Sequence, residues 1–481
     1  MRMLLLLALA ALPAAAAPKP SPVPKAKAAV LAEVDTLSPE LGRLASELWR
    51  HSEIALREER SSTALADLLE REGFRVERGV ADMPTAFVAS FGSGKPVLGI
   101  LAEFDALPGI GNEAVPRLEP RKDGVANGHG CGHNLFGPGS AGAAIALKRV
   151  MQAHRLPGTV KLFGTPAEET LVGKVYLARD GVFEGLDAAL DWHPGTETQV
   201  TNESGQALNN FTVEFSGKAA HGARDPWNGR SALDAVEVMT HAANLMREHL
   251  PTSARIHYVI PQGGEAPNVV PAHASVWFYV RDVDRPTVER HYEWLLGIAE
   301  AAALATQTTH KVMLTTGVHE YNLNRPLQEA MQKNLELVGA PAWGDEEQRF
   351  ARELQGFLKL PEKGLDASFK QLAASPEPLK GGSTDAAEVS HLAPTGALIV
   401  ATAGIDLPWH SWATAASHGV PGAARGSVVA AKVLAATGVD ILTDPRLLAR
   451  AQEFFRTKAG GRPYKSPLPA GQKPPVPQPA R

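Results

Sequence analysis

The 481-residue sequence predicts an α/β fold with a mostly parallel sheet, interrupted by a smaller α+β insert. Three observations carry this reading. Short apolar runs end in polar clusters, segments of helical spacing separate them, and near residue 207 the pattern changes to alternating strands with two long amphipathic helices. Leu41, Leu44, Leu48, Leu65, Leu68 and Leu69 recur at helical spacing through Leu41 to Gly73. Val97 to Ala102 is continuously apolar up to Glu103-Phe104-Asp105, as a strand buried on both faces requires. Gly137 to Val150 is small and apolar, predicting a helix packed close to a sheet. Gly158 to Gly164 predicts the next strand, Val172 to Asp180 a helix, and Asp187 to Trp192 a further strand. In the insert, Asn210–Phe215, Ala254–Ile260, Ala274–Val280 and His310–Thr316 read as strands, and Ser231–Glu248 and Pro286–Thr306 as helices. The first pattern resumes with a strand at Ala397–Ala401 and a helix at Ala424–Thr437.

The ends read differently. Met1-Arg2-Met3, an apolar run from Leu4 to Ala17 and the small residues Ala15-Ala16-Ala17 predict a secretory signal peptide, hence a secreted or periplasmic protein. The run is too short for a comfortable membrane span. The domain plan is a signal at 1–17, a linker at 18–29, a first catalytic part at 30–207, the insert at 208–317, a second catalytic part at 318–445, and a C-terminal helix and disordered tail at 446–481. Net charge is −4 with the signs interspersed, so nothing points to nucleic acid or an anionic membrane.

Chemistry concentrates where strands end. The one cysteine, Cys131, lies in Gly128-His129-Gly130-Cys131-Gly132-His133-Asn134, two residues before a histidine. A thiolate and an imidazole so spaced can share a zinc-like cation. Asp105, Glu168-Glu169 and His193 each follow a predicted strand, and His410 sits in the later loop Leu407 to Trp412. In open α/β sheets the strand C-termini form the ligand crevice. Adjacent glutamates diverge in an extended segment, so one can bind metal while the other handles a proton. Glu168 is assigned as base and Glu169 as ligand, an order that spacing alone leaves open. Asp105 reads as a carboxylate that orients a histidine ligand. Taken singly, each residue also has a plain reading: Glu168-Glu169 as solvated surface, His193 as a core histidine, His410 as part of an aromatic cluster, Cys131 as a structural thiol. His129 and His418 are read as a loop residue and a helix-capping or surface group.

These motifs, with Glu103 to Gly109, Pro166 to Glu169, Trp192-His193-Pro194, Lys218 to His221, Gly229 to Ala235, Gly264 to Val270, Arg281 and Ser383-Thr384-Asp385, resemble the M20 metallopeptidases, in their amidohydrolase branch. The resemblance implies a zinc-peptidase-like catalytic domain and a lid that also dimerises. It implies a two-metal site at Cys131, His133, Glu169, His193 and His410, with Glu168 as general base and Asp105 as the carboxylate of the first motif. His221 matches a lid histidine that reaches the partner subunit's active site and steadies the oxyanion. Asn268 and Arg281 match positions that hold the substrate's carbonyl and carboxylate. On its own, Arg281 reads as a salt bridge to Asp282 or Asp284. Glu103 stands where relatives outside this branch carry a metal-binding histidine.

The expected activity is metal-dependent hydrolysis of the amide bond of N-acyl or N-aroyl amino acids, of the aminobenzoyl-glutamate kind, or of dipeptides. The expected cofactor is one or two divalent ions, zinc or manganese, with cobalt and nickel also compatible with the donors. A homodimer through the lid is expected. The competing readings are a cysteine amidase using Cys131 and a non-catalytic ligand-binding protein.

Overall fold

The computed structural model describes residues 24–377, 379, 381–459 and 463–477. The expected signal peptide lies outside these residues, as do part of the linker and both ends of the expected tail.

The chain enters through two helices, α1 (Lys25–His51) and α2 (Glu59–Arg71). A seven-stranded sheet follows, formed by β1 (Arg75–Arg78), β2 (Phe87–Ser93), β3 (Val97–Ala102), β4 (Gly158–Gly164), β5 (Ala188–Gly195), β6 (Gln199–Val200) and, after the insert, one more strand. Helices α3 (His133–His154) and α4 (Gly173–Arg179) connect its parallel strands. The insert holds β7 (Ala207–Ser216), β8 (Arg255–Gln262), β9 (His273–Asp282) and β10 (Thr309–Val318), with α5 (Ala232–Met246) and α6 (Arg285–Thr306). The chain returns through α7 (Arg325–Val338), α8 (Asp345–Phe357) and α9 (Ala386–Ser390) to β11 (Thr395–Ala401). It closes with α10 (Trp412–His418), α11 (Ala424–Thr443) and α12 (Pro445–Ala459).

The strand order is β1-β2-β4-β3-β5-β11-β6. β3 pairs parallel with β4 and β5, and β11 parallel with β5, so the chemistry-bearing strand ends share one edge. The small residues of α3 explain its close seat. A Cβ on Gly142 would lie 2.5 Å from Leu41, and one on Gly139 2.8 Å from Trp192. Trp192 is fully buried and packed on Phe136 at 5.5 Å between ring centroids. The insert is an antiparallel sheet ordered β10-β7-β9-β8, with α5 and α6 covering a core that includes Phe211, Phe278, Met239 and Leu295.

Two boundary expectations are corrected. The linker does not run to residue 29: α1 begins at Lys25, and Lys27 reaches Asp440 at 2.7 Å and Asn334 at 2.9 Å. Lys-Ala-Lys-Ala-Ala is strong helix-forming sequence directly after Pro24, and α11 gives it a surface to pack on. Nor is the tail disordered throughout, because residues 463–477 lie against the fold. Tyr464 donates to Glu388 at 2.5 Å, Leu468 is buried, and Gln472 donates to the Tyr176 hydroxyl at 2.8 Å and to Leu314 O at 2.7 Å. A proline-rich strand has few internal hydrogen bonds to lose, so a few anchors suffice to hold it. Among the described residues, the one helical segment long and apolar enough to cross a membrane is Pro421–Thr443, and 78% of its apolar window is buried in the core.

Candidate metal centre and active site

The Cys131 loop exists because glycine permits it. Gly132 has φ +75°, and a Cβ there would lie 2.9 Å from Pro194 and 3.0 Å from His418. The loop therefore turns tightly and starts α3 at His133. Behind it, His418 bonds His129 O at 2.7 Å through Nδ1 and Thr402 Oγ1 at 3.1 Å through Nε2, while His129 Nε2 bonds Leu48 O at 3.1 Å. Both imidazoles are buried. His418 is therefore not a surface or capping group but a brace for the loop, because α10 turns it inward.

Asp105 ties two loops together. Its Oδ1 accepts from His133 Nδ1 at 2.9 Å, and its Oδ2 accepts from the Glu169 amide at 2.9 Å. His133 is thereby oriented with Nε2 turned toward the cleft. At the end of β5, His193 donates from Nδ1 to Pro194 O at 2.7 Å and likewise leaves Nε2 free. The loop after β11 brings His410 Nε2 to 2.9 Å from Cys131 Sγ and 3.5 Å from Glu169 Oε2.

The donor atoms of Cys131, His133 and His193 all lie within 4.8 Å of one another, and so do those of Cys131, Glu169 and His410. Two donor sets therefore share one sulfur. A third group, Glu103, His133 and Glu168, adjoins them. His133 Nε2, Glu103 Oε2 and Glu169 Oε1 are buried without a hydrogen-bond partner, as atoms awaiting a cation would be. The sulfur, imidazole and carboxylate set suits divalent ions.

The electrostatics agree. Burial, reinforced by Glu169 and Glu168, pushes the Cys131 thiol well up. Burial lifts Glu169 to about 7, and burial with Glu103 and Asp385 raises Glu168 well above the ordinary range. Burial also works against the His133 cation, but Glu103 and Asp105 outweigh it and raise that pKa. Burial, helped by His133, lowers His193 to about 4 and so keeps it a neutral donor. The cluster carries more negative charge than its own cations balance, a state that bound cations relieve.

The cleft over these atoms measures about 410 Å³. From the lid, Tyr279 and Arg281 on β9 reach into it. Arg281 does not bridge Asp282 or Asp284. Asp282 sits on the opposite face of the strand, bonded to Ser253 and His291, and Asp284 caps α6 through the Thr287 amide. Arg281 Nε is buried without a partner. His221 and Asn268 do not line the cleft of their own chain. They adjoin one another on an exposed lid loop, where the Gly222 amide donates to Asn268 O at 2.8 Å.

Sequence reasoning missed Lys174, Asp191 and Tyr321 at this site. Lys174 is fully buried, its ammonium 2.7 Å from Glu103 and 2.6 Å from Asp385. A lone lysine in a short helix ordinarily reads as surface. Asp191 and Tyr321 line the cleft but carry no spacing signal.

The fold and the site together define a hydrolase acting on amide or peptide bonds that uses divalent metal. Residues 99–465 match Peptidase family M20/M25/M40, and the chain belongs to that family. It is 35% identical over 458 residues to a p-aminobenzoyl-glutamate hydrolase subunit of Escherichia coli, covering 90% of this chain and 95% of that one. It is 29% identical over 452 residues to Xaa-Arg dipeptidase of Homo sapiens, covering 88% and 91%. A crystal structure of a putative aminohydrolase from methicillin-resistant Staphylococcus aureus shares the fold at a TM-score of 0.62 and 19% identity, covering 87% of this chain and all of that one.

Proposed function

We propose that this protein hydrolyses the amide bond between an acyl or aroyl group and an amino acid with a free carboxylate, dipeptides included. The observation that carries the proposal is the pairing, in one cleft, of two donor sets that share Cys131 with an arginine whose buried Nε has no partner among the described residues. Relatives named for p-aminobenzoyl-glutamate and for Xaa-Arg dipeptides support the substrate class. Cys131, His133, Glu169, His193 and His410 would hold divalent ions, which when bound would polarise the carbonyl and lower the pKa of water. Zinc or manganese is the expected ion, and cobalt and nickel are also compatible with the donors.

The chain's own residues do the rest. Glu168 belongs to neither set that shares Cys131 and stands 3.9 Å from His133 Nε2, placed to take the water's proton and return it to the leaving amine. Asp105 holds His133 in the tautomer that ligates. Arg281 receives the substrate carboxylate. His221 accepts at Nδ1 from the Ala223 and Arg224 amides, at 3.2 and 3.1 Å, so its proton sits on Nε2. That donor, with Asn268, would serve the oxyanion of the neighbouring protomer in a homodimer. The free edge of β8, with Val259 and Ile260 exposed, and Val238 and Leu245 exposed on α5, support pairing through the lid. The apolar run within residues 1–17 supports export, and N-terminal sequencing of the mature protein tests it.

Glu168→Gln is the deciding variant. It should retain its metal and lose about 10²–10⁴-fold in turnover. Wild-type turnover would remove the base. The cysteine-amidase reading needs an activated thiolate, and burial and two glutamates act the other way on Cys131. Activity that survives chelation but not alkylation would restore it.

A further inference from the structure

Glu58, in the connection between α1 and α2, is fully buried and belongs to none of the donor groups. Its carboxyl group gathers contacts from separate parts of the chain. Oε1 accepts from the Leu56 amide and from the Ala167 amide, each at 2.9 Å, and Oε2 accepts from Thr85 Oγ1 at 2.9 Å. The Leu56 contact is local. Ala167 is 109 residues away and stands directly before Glu168.

Ala167 needs such a hold. It is buried and left-handed, with φ +59° and ψ +37°. That conformation costs a residue with a Cβ about 1–2 kcal/mol, so it persists only where surrounding contacts impose it. Two acidic side chains impose it from either side of Glu168. Glu58 holds the amide before it, and Asp105 holds the amide after it, each at 2.9 Å. Without the first contact the Ala167 peptide is free to rotate toward right-handed values, and Glu168 turns with it. The same α1–α2 connection also braces the Asp105 turn, because the Ala106 amide donates to Glu53 O at 2.8 Å.

We infer that Glu58 is a positioning residue: by holding the Ala167 amide it fixes the left-handed turn that aims Glu168 into the cleft. The inference rests on the reading of Glu168 as the general base. Glu58 does not itself line the cleft, so it acts through the backbone alone. Substrate binding by Arg281, from β9 of the lid, does not depend on this turn. Loss of Glu58 should therefore lower kcat and leave KM in place.

The test uses the full-length, zinc-loaded protein, with p-aminobenzoyl-glutamate as the kinetic probe and amide hydrogen exchange read by mass spectrometry. Glu58→Met keeps the length and removes the acceptor. It should lower kcat about 10–100-fold at unchanged KM, and speed exchange over residues 165–171 more than in α3. Burial, joined by the charge of Asp105, pushes the Glu58 carboxyl up to about 8, so a neutral amide is a close stand-in. Glu58→Gln should accordingly keep both readouts near wild type. Ser62→Ala removes a neighbouring hydroxyl bound to Thr85 O at 2.7 Å, and should cost stability without lowering kcat. Glu58→Asp draws the carboxyl back by one methylene, and it carries the test should Glu58→Met fail to fold. A folded Glu58→Met protein, or Glu58→Asp in its stead, with wild-type kcat or wild-type exchange over 165–171 overturns the inference. So does a Ser62→Ala protein whose kcat falls as far. A wild-type protein that hydrolyses neither the probe nor an Xaa-Arg dipeptide overturns the proposed function instead, and hydrogen exchange alone then decides the role of Glu58.

Discussion

Replacing Arg281 with methionine should weaken substrate binding without weakening the fold. The guanidinium projects from β9 into the cleft, its Nε buried and unpartnered, beside Tyr279 at 5.4 Å from its ring centroid. Burial holds its pKa below the ordinary arginine value, and among the described residues no carboxylate forms an ion pair with it. Charge-assisted hydrogen bonds to a carboxylate contribute about 1.5–3 kcal/mol. At about 1.4 kcal/mol per tenfold, KM should rise about 10–150-fold. Because the contact is made equally to substrate and transition state, kcat should change little. The assay is steady-state kinetics on each N-acyl amino acid that is turned over and on its carboxamide counterpart. Wild type should prefer the acid by the calculated factor, and Arg281→Met should treat the two alike. The thermal midpoint should not fall, since no ion pair is removed. An unchanged KM, or an acid preference that persists in the variant, refutes carboxylate recognition by Arg281.

Other perturbations follow from the same geometry. A Cβ on Gly173 would lie 1.8 Å from Pro166 O, so Gly173→Ala must displace the loop that carries Glu168 and Glu169. A shift near 1 Å lowers kcat/KM about 100-fold, and wild-type kinetics would refute the placement. Trp192→Ala opens a cavity against Phe136 and Gly139 and should destabilise the protein by about 3–5 kcal/mol in urea unfolding. Glu388 is buried, which pushes its carboxyl up, but His319 and the hydrogen bonds from His319 and Tyr464 outweigh burial and hold it below its usual 4.5. A depressed carboxylate stabilises the fold above its unfolded value and loses that contribution as pH falls through the folded one. Acid destabilisation should therefore set in below about pH 4.5, and Glu388→Gln should flatten that limb in urea melts taken between pH 3 and 7. Tyr464→Phe, which leaves Glu388 Oε2 with only the 3.2 Å contact to His319 Nδ1, should lower stability by about 1 kcal/mol by the same measurement.

Much of this site is legible in the chain alone because its signals are local. A Gly-rich turn must pass close to other atoms, a buried parallel strand must be apolar and end in its ligands, and a helix seated against a sheet must be small-faced. Those constraints are written within a few residues, so β3, β4, β5 and α3, and the candidates Cys131, His133, Glu169, His193 and His410, emerge from spacing and resemblance together. Other assignments depend on partners distant along the chain. Lys174 reads as solvated until Asp385, 211 residues away, closes over it. Arg281 reads as paired until the strand turns Asp282 to the opposite face. His418 reads as surface until α10 faces inward, and the tail reads as disordered until Tyr464 and Gln472 meet the body of the fold. Sequence by itself determined the α/β plan and the set of chemical groups. Only the tertiary structure decided which charges are paired, which are left open to a ligand, and which oxygen of Glu103 faces His133. The physical reason is that desolvation and pairing are set by everything that surrounds a group, whereas periodicity reports only its neighbours along the chain.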